Sequence, residues 1–470
     1  MGEHDGLSRR GFLRRTMGAA GASAFASGFP AIAGGGNADR PNIIMVIADD
    51  LAWHDIGCYG SEDVKTPHID RLASQGMKFN SCFTATAMCS PTRQQLYTGL
   101  FPVRNGAYPN HSKVKPGTRS MVHYLSDLGY RVGLIGKKHI GPRDSFPFDR
   151  PGNLKNLPKT VRSYITKDKS KPWCLLVASH NPHSPWNQGP DYDPDRIHLP
   201  PYLLDTQSTR ETVADYYGEI TALDEEVGQC MDAVRETGQE ENTVFIFTSE
   251  QGCAFSGGKW TCYEAGLHTA FIVRWPGRVK AGTETDAMVQ YVDVVPTLLE
   301  AAGVNPNEID TGCPDPTGYR GFDGKSFLDV MRGRADEHND YVYGVHTTKG
   351  IINGKPYPVR SVRGRRYKYI RNLMPDATFQ NIVTRGGKRH SYWPEWVEKS
   401  KTDRKAALLV RRYQHRPAQE FYDLQQDPWE LNNLSDNRAW RGEMKGMDKV
   451  LQAWMKQQGD EGVRTELGKA

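Results

Sequence analysis

The stretch Asn42-Ile43-Ile44-Met45-Val46-Ile47-Ala48-Asp49-Asp50 joins an unbroken apolar run to two consecutive acids. A strand that is apolar on both faces is typical of a parallel sheet with helices on both sides. Similar apolar runs recur and alternate with helical segments; strands are predicted at 77–83, 132–135, 174–179, 243–248 and 271–274, and helices at 66–72, 120–128, 209–235 and 292–302. This alternation predicts an α/β sandwich with a large, mostly parallel sheet, whose functional residues lie beyond the carboxyl ends of the strands.

The pattern changes after about residue 340. The segment 357–372 is strand-rich, Gly386-Gly387 and the charged run 398–405 are loop-like or a polar helix, 420–424 is a short strand, and 442–455 is an amphipathic helix. We therefore predict a catalytic domain at 38–340 and a smaller C-terminal α+β domain at 341–470.

The first 33 residues resemble a twin-arginine export signal. Ser8-Arg9-Arg10-Gly11-Phe12-Leu13 precedes a run of small residues at 17–29, and Ala31-Ile32-Ala33 offers a small-x-small cleavage site. The alternative is an amphipathic helix or a membrane anchor, but the run is short and rich in Gly and Ala, and no later segment reaches about 18 apolar residues. We expect the twin-arginine translocase as a partner and a periplasmic or secreted mature chain.

Composition argues against a nucleic-acid-binding protein, a disulfide framework and a zinc ribbon. The 470 residues carry 60 basic and 55 acidic side chains, a net charge of +5, with no dense Lys/Arg run of the kind that binds nucleic acid. The eight cysteines are scattered, which is neither a disulfide framework nor a zinc ribbon. Cys253 and Cys262 are the first pair to test for a disulfide.

A second stretch, Met88-Cys89-Ser90-Pro91-Thr92-Arg93 through Thr98-Gly99, marks the chemistry. Ser90 is a good helix N-cap and Pro91 suits the first helical position, so Cys89 is predicted just before a helix that ends at Thr98-Gly99. The amides and dipole at such a helix start favour a tetrahedral oxyanion, sulfate or phosphate, and Arg93 adds a fixed positive charge. A buried, inert cysteine is the alternative.

Acidic and basic groups follow several predicted strands. Asp49, Asp50, Glu250 and Gln251, with an oxygen on residue 89, could form an all-oxygen shell that selects Ca²⁺ or Mg²⁺ over zinc. Basic groups occur in three loops that could form a positive pocket for sulfate: Gly136-Lys137-Lys138-His139, His180-Asn181-Pro182-His183 and Gly258-Lys259-Trp260-Thr261.

The order Asp-Asp, Cys-x-Pro-x-Arg, Gly-Lys-x-His, Pro-His, Ser-Glu-Gln-Gly and Gly-Lys-x-Thr resembles that of the type I sulfatases. The resemblance implies an alkaline-phosphatase-like fold, one Ca²⁺, and oxidation of Cys89 to formylglycine by a formylglycine-generating or sulfatase-maturing enzyme. The implied metal ligands are Asp49, Asp50, residue 89, Glu250 and Gln251, although this family usually has Asp-Asn in place of Glu250-Gln251. In the implied reaction Arg93 and Lys137 hold the formylglycine hydrate, His139 is the base that releases sulfate, and His183 and Lys259 bind sulfate and assist the leaving group.

Within the family, the segments 135–142, 146–149 and 377–380 resemble the sulfamidase (heparan N-sulfatase) branch, which acts on glycosaminoglycan sugars. The expected substrate is therefore a sulfated saccharide, with N-sulfoglucosamine as the favoured group. Three alternatives stay open: an O-sulfatase on another sulfated polysaccharide, a phosphate-ester hydrolase, and a non-catalytic protein that binds anionic glycans.

Overall fold

The computed structural model describes residues 40–353, 356–387 and 390–468, and the signal predicted at 1–33 lies outside them. No helix of the described part is both long and apolar enough to cross a bilayer. The described residues all belong to one compact unit.

A large sheet forms the centre of this unit. Its strands are β1 (Asn42–Ala48), β2 (Met77–Phe83), β3 (Arg131–Gly136), β4 (Trp173–Ala178), β5 (Thr243–Ser249), β6 (His268–Arg274), β7 (Thr283–Thr285) and β8 (Val289–Gln290). They follow the order β3-β4-β1-β5-β6-β2-β7, with β8 also paired to β2. Only β6 runs antiparallel to its neighbours, β5 and β2, so the predicted mostly parallel sheet is confirmed for the described residues.

Helices cover both faces of this sheet. They are α1 (Pro67–Ser74), α2 (Cys89–Thr98), α3 (Pro102–Asn105), α4 (Met121–Asp127), α5 (Leu157–Thr166), α6 (Gln207–Glu236), α7 (Glu264–Leu267), α8 (Val294–Ala301) and α9 (Leu328–Met331). Side chains of β1 alternate between two cores, because successive residues of a strand point to opposite faces. Ile44 and Val46 pack with α1, α5 and α6, whereas Met45 and Ile47 pack with α2, α4 and α8. Both faces are thus buried, which explains the unbroken apolar run.

A second, antiparallel sheet follows in the order β12-β11-β10-β9. Its strands are β9 (Val342–His346), β10 (Val359–Arg363), β11 (Tyr367–Asn372) and β12 (Gln419–Asp423), and the helices of this region are α10 (Tyr392–Lys399), α11 (Arg404–Gln414), α12 (Arg441–Gln458) and α13 (Val463–Leu467). This confirms the smaller α+β region. The predicted domain boundary at 340–341 stays a prediction.

Candidate active site

The site lies where β1 and β5 end side by side. Ala48 pairs with Ser249 in register, so the next residues of each strand, Asp49 and Glu250, emerge at the same edge of the sheet. Asp50 has a φ of 70°, a left-handed conformation that is uncommon outside glycine but tolerated by Asp. Asp49, Asp50, Glu250 and Gln251 are each at most 2% exposed.

Cys89 opens the helix that reaches this edge. Helix α2 begins at Cys89 itself, because Met88 is extended (φ −147°, ψ 129°) while its carbonyl already accepts a hydrogen bond from Thr92 N at 3.0 Å. The prediction that Ser90 caps the helix is therefore wrong; Ser90 Oγ instead lies 3.4 Å from the carbonyl oxygen of Ser112. The predicted end is confirmed, since Gly99 is left-handed with φ 68°.

Charged side chains surround the Cys89 thiol. Lys259 Nζ lies 3.0 Å from Cys89 Sγ and 2.6 Å from Asp50 Oδ1. Lys137 pairs with Asp49, whose Oδ1 lies 3.8 Å from Cys89 Sγ. Arg93 Nε lies 2.5 Å from Glu250 Oε2. The three carboxylates are thus balanced by three cations in a buried site.

Burial and the neighbouring charges raise the pKa values of Cys89 and Asp49 and lower that of Glu250. Burial raises the pKa of Cys89 to about 12, so its thiol is protonated at neutral pH. Burial and the neighbouring Glu250 raise the pKa of Asp49 well above its usual value. Burial would also raise the pKa of Glu250, but the charges of Arg93 and Lys137 outweigh it and hold that pKa well below the usual value.

The acidic groups fit a divalent metal ion. One ligand atom each from Asp49, Asp50, Cys89 and Glu250 lie within 4.8 Å of one another. The amide nitrogen of Gln251 faces Asp50 Oδ1 at 2.6 Å, while its Oε1 is buried without a hydrogen-bond partner in the described structure. The nitrogen and oxygen of an amide are assigned rather than observed, so a turned amide would offer its oxygen to a cation. Carboxylate and amide oxygens are ligands for Ca²⁺ or Mg²⁺.

The two predicted histidines occupy different surroundings. His183 Nε2 lies 3.7 Å from Asp50 Oδ2, and its Nδ1 lies 2.7 Å from the carbonyl oxygen of Ser184. His139 has no hydrogen bond to the acidic cluster; its Nε2 lies 2.7 Å from Nδ1 of His111. Burial and Lys137 lower the pKa of His139 to about 4.

Sequence reasoning missed His111 and Gln94. His111 follows no predicted strand, and Gln94 reads as an ordinary residue of helix α2. Backbone strain could not be seen from the sequence either: of the five described non-glycine residues with positive φ, Asp50, His111 and His139 belong to this region and Trp260 follows Lys259. Cys253 and Cys262 are both free thiols in this structure and form no disulfide.

A cysteine at a helix start, beside carboxylates and cations at the carboxyl edge of a mostly parallel sheet, is an arrangement suited to binding a tetrahedral oxyanion. The model of the Sulfatase family matches residues 41–163 and 154–304, and that of the C-terminal region of N-sulphoglucosamine sulphohydrolase matches residues 257–381. The chain belongs to the sulfatase family, which confirms the resemblance seen in the sequence.

Relatives agree with this assignment, and a solved structure has the same fold. The chain is 33% identical over 435 residues to an ulvan-active sulfatase of Formosa agariphila, covering 90% of this chain and 81% of that protein. It is 27% identical to human N-sulphoglucosamine sulphohydrolase, covering 88% of this chain and 90% of the human protein. The structure of BT4656 in complex with its substrate D-glucosamine-2-N,6-O-disulfate has the same fold, with a TM-score of 0.68 at 19% identity, covering 92% of this chain and 100% of that chain. The fold is therefore the alkaline-phosphatase-like fold of sulfatases.

Proposed function

We propose that this sulfatase removes sulfate from a sulfated saccharide by means of formylglycine made from Cys89. The observation that carries the proposal is the position of Cys89, which is the first residue of α2 and whose Sγ lies 3.0 Å from Lys259 Nζ. An unmodified thiol would be a poor nucleophile here, because its pKa is raised to about 12 and the thiolate is the reactive form. Formylglycine, when present, supplies a hydrated aldehyde as the nucleophile.

The surrounding residues have separate roles in this proposal. Arg93 and Lys137 hold the hydroxyls of the formylglycine hydrate at residue 89. Their positive charges are stabilised by the buried side chains of Glu250 and Asp49. Lys259, only 3% exposed, contributes a positive charge to sulfate binding. His183 donates a proton to the leaving group, and His139 takes up the proton when sulfate is released.

We propose Ca²⁺ as the bound metal, with Mg²⁺ as the alternative. Asp49, Asp50, Glu250, Gln251 and residue 89 would hold it. The chemistry it supplies is charge stabilisation of a sulfate oxygen. Each of the three carboxylates is paired with a cationic side chain, so a divalent cation would add the positive charge that a sulfate group needs.

The proposed substrate group is N-sulfoglucosamine. The match of residues 257–381 to the C-terminal model of N-sulphoglucosamine sulphohydrolase supports this assignment. A second candidate is O-sulfate on another polysaccharide such as ulvan, because the ulvan-active sulfatase shares more identical residues with this chain than the human enzyme does.

We also propose twin-arginine export to the periplasm or the medium, guided by Arg9 and Arg10. The pathway carries folded proteins, which suits a cysteine that must be oxidised by the maturing enzyme before it is buried. Replacing Arg9 and Arg10 by Lys should leave full-length precursor in the cytoplasm, as fractionation and immunoblotting would reveal. Export of that variant at the normal rate would contradict this route.

The function is tested by combining mass spectrometry with substrate assays. The peptide that contains residue 89 should carry the formylglycine mass in active protein, and sulfate release should be measured on glucosamine N-sulfate, glucosamine 6-O-sulfate and ulvan oligosaccharides. Cys89→Ala should abolish turnover while the protein stays folded. If Cys89→Ala kept a substantial fraction of the activity, the nucleophile would be wrong; if the modified wild type bound these sugars without turnover, the protein would be a glycan-binding protein instead.

A further inference from the structure

His111 and His139 form a pair beside the acidic cluster. His111 Nδ1 and His139 Nε2 are 2.7 Å apart, and the two rings are tilted by 41° with centroids 4.7 Å apart. The other nitrogen of His139, Nδ1, is buried and has no hydrogen-bond partner among the described residues. One ring nitrogen of His139 is therefore hydrogen-bonded to His111, and the other is available to take up a proton.

The loops that carry the pair are both attached to the helix that begins at Cys89. The side chain of Gln94, on α2, donates to the carbonyl of Ser112 at 3.0 Å and accepts from Val114 N at 3.2 Å. The same amide oxygen lies 3.3 Å from Gly141 N. Gln94 is fully buried, so its side chain ties both loops to the helix that begins at residue 89.

The backbone at His111 is also in an uncommon conformation. Its φ is 61°, and that of His139 is 44°. Such conformations cost free energy in residues with a Cβ, and they persist where surrounding contacts enforce them. Asn110, which precedes His111, is tied to the carbonyl of Lys349 at 3.1 Å, and its side-chain amide lies 3.2 Å from His111 Nε2.

The hydrogen bond between the rings sets which nitrogen of His139 is basic. A neutral imidazole has one N–H and one lone pair, and a partner on one nitrogen selects the tautomer. If His139 Nε2–H donates to His111 Nδ1, the lone pair of His139 is at Nδ1. His111 then carries its own proton on Nε2, where the amide of Asn110 can accept it through its oxygen, since amide orientation is assigned rather than observed.

We propose that His111 is a positioning residue that accepts a hydrogen bond from His139 Nε2–H and so presents the Nδ1 lone pair of His139 for proton uptake. The inference rests on the proposed role of His139 as the base in sulfate release. When Nδ1 takes up the proton, the positive charge spreads over the ring, and the bond from Nε2–H to His111 becomes charge-assisted and stronger. His111 thus stabilises the protonated ring without contacting the substrate.

Four charged or titratable groups affect the protonation of His139. Lys137, Arg93 and His111, when charged, lower its pKa, and Glu250 raises it. Since His111 is the member of this set that is hydrogen-bonded to the ring, a change of charge at position 111 should shift the pKa of His139 without altering the cluster around residue 89.

The chain allows a matched set of variants at position 111. Gly, Asn and Asp all tolerate a φ near 61°, so the three variants share the backbone and differ in the acceptor. His111→Asn keeps an oxygen near the position of Nδ1 and should retain kcat within a few-fold. His111→Gly has no acceptor and should lose about 10- to 100-fold in kcat, the size of effect known for partners that orient a functional imidazole. KM should fall in parallel and kcat/KM should change little, because sulfate release follows the step in which the substrate reacts. His111→Asp should shift the acidic limb of the kcat profile to higher pH, because a negative neighbour favours the protonated ring.

A measurement without turnover applies to the same proteins. Nitrogen-15 spectra of histidine-labelled protein, with His139 assigned by the His139→Gln variant, report which ring nitrogen carries the proton. The wild type should show the Nε2–H form of His139, His111→Gly a mixture of both forms, and His111→Asp a raised pKa. A wild-type His139 protonated at Nδ1 would overturn the proposal whatever the activity.

A double-mutant comparison separates this proposal from the proposed function. In a His139→Ala background, His111→Gly should cost nothing further, because the partner that it positions is gone. An equal loss from His111→Gly in both backgrounds would show that His111 acts independently and would overturn the inference. Full activity of His139→Ala would instead reject the role of His139 in sulfate release, and the ring spectra would still decide the hydrogen bond.

Discussion

Replacing Lys259 by Met tests the charge balance of the site. Lys259 Nζ lies 2.6 Å from Asp50 Oδ1, and both side chains are at most 4% exposed. Burial alone would lower the pKa of Lys259, but the acidic groups around it, Asp50 first among them, outweigh burial and raise that pKa, so Lys259 is charged. Removing one partner of a buried ion pair typically costs about 3 to 5 kcal/mol, because the other charge is left uncompensated. Lys259→Met should lower the free energy of unfolding by that amount in a metal-free buffer with a chelator.

Calcium should restore part of this loss if Asp50 is a metal ligand. A bound cation replaces the charge of Lys259 beside Asp50, so recovery of about half of the loss, about 1.5 to 2.5 kcal/mol, corresponds to roughly 10- to 70-fold tighter Ca²⁺ binding by the variant. Urea unfolding with and without Ca²⁺, and calorimetric titration of the metal, would measure both quantities. Lys259→Arg should lose much less because the charge remains.

The chain contains a matched control for this experiment. Lys368 is 1% exposed, and its Nζ lies 2.9 Å from Glu264 and 3.0 Å from Glu430, outside the acidic cluster. Lys368→Met should be destabilised to a similar extent but should show no change in Ca²⁺ affinity. If Lys259→Met were as stable as the wild type without metal, the charge balance would be refuted. If its loss of stability were the same with Ca²⁺ as without, the assignment of Asp50 to the metal would be refuted.

Three further outcomes follow from the site. In the wild type Arg93 Nε lies 2.5 Å from Glu250 Oε2, and Glu250→Asp shortens the side chain and draws the carboxylate back. The variant should lose about 1.5 to 3 kcal/mol of stability and bind Ca²⁺ more weakly. An unchanged Ca²⁺ affinity by calorimetry would argue against Glu250 as a ligand. His183→Ala should slow hydrolysis of glucosamine N-sulfate far more than that of an aryl sulfate, because the nitrogen leaves only when protonated; equal losses would remove its acid role. The acidic limb of the kcat profile should lie near pH 4, since His139 with a pKa of about 4 stays neutral and basic above that pH, and a limb near pH 6.5 would contradict this.

Local patterning predicted much of the fold. The apolar run of β1 is unbroken because its side chains enter two cores, one on each face of the sheet. The sequence was enough to predict that Asp49 and Glu250 lie close together, because each directly follows such a strand and neighbouring parallel strands end at the same edge of the sheet. The C-terminal region was also predicted as α+β, but strand β9 was missed and the charged run 398–405 proved to span the end of α10 and the start of α11.

Other features depended on contacts that sequence spacing does not contain. Ser90 was predicted as a cap from its residue type, yet the extended conformation of Met88 starts the helix one residue earlier. Strand β6 looks like any buried strand in sequence, and only its pairing with β5 and β2 reveals that it is antiparallel. Sequence spacing likewise could not decide whether Cys253 and Cys262 form a disulfide, and the structure shows both as free thiols.

The sequence by itself predicted a mostly parallel sheet, the sulfatase family, and the acidic and basic side chains that lie around Cys89, because strand periodicity and a family motif both consist of the local order of residues. The tertiary structure alone decided how their charges are arranged: Arg93 with Glu250, Lys137 with Asp49, and Lys259 between Asp50 and the thiol. It also placed His111 against His139, across 28 residues of chain. Such pairings are set by the packing of separate loops on one helix. Burial makes each pairing important for stability, because an ionic or imidazole group that is removed from water must find its partner within the protein.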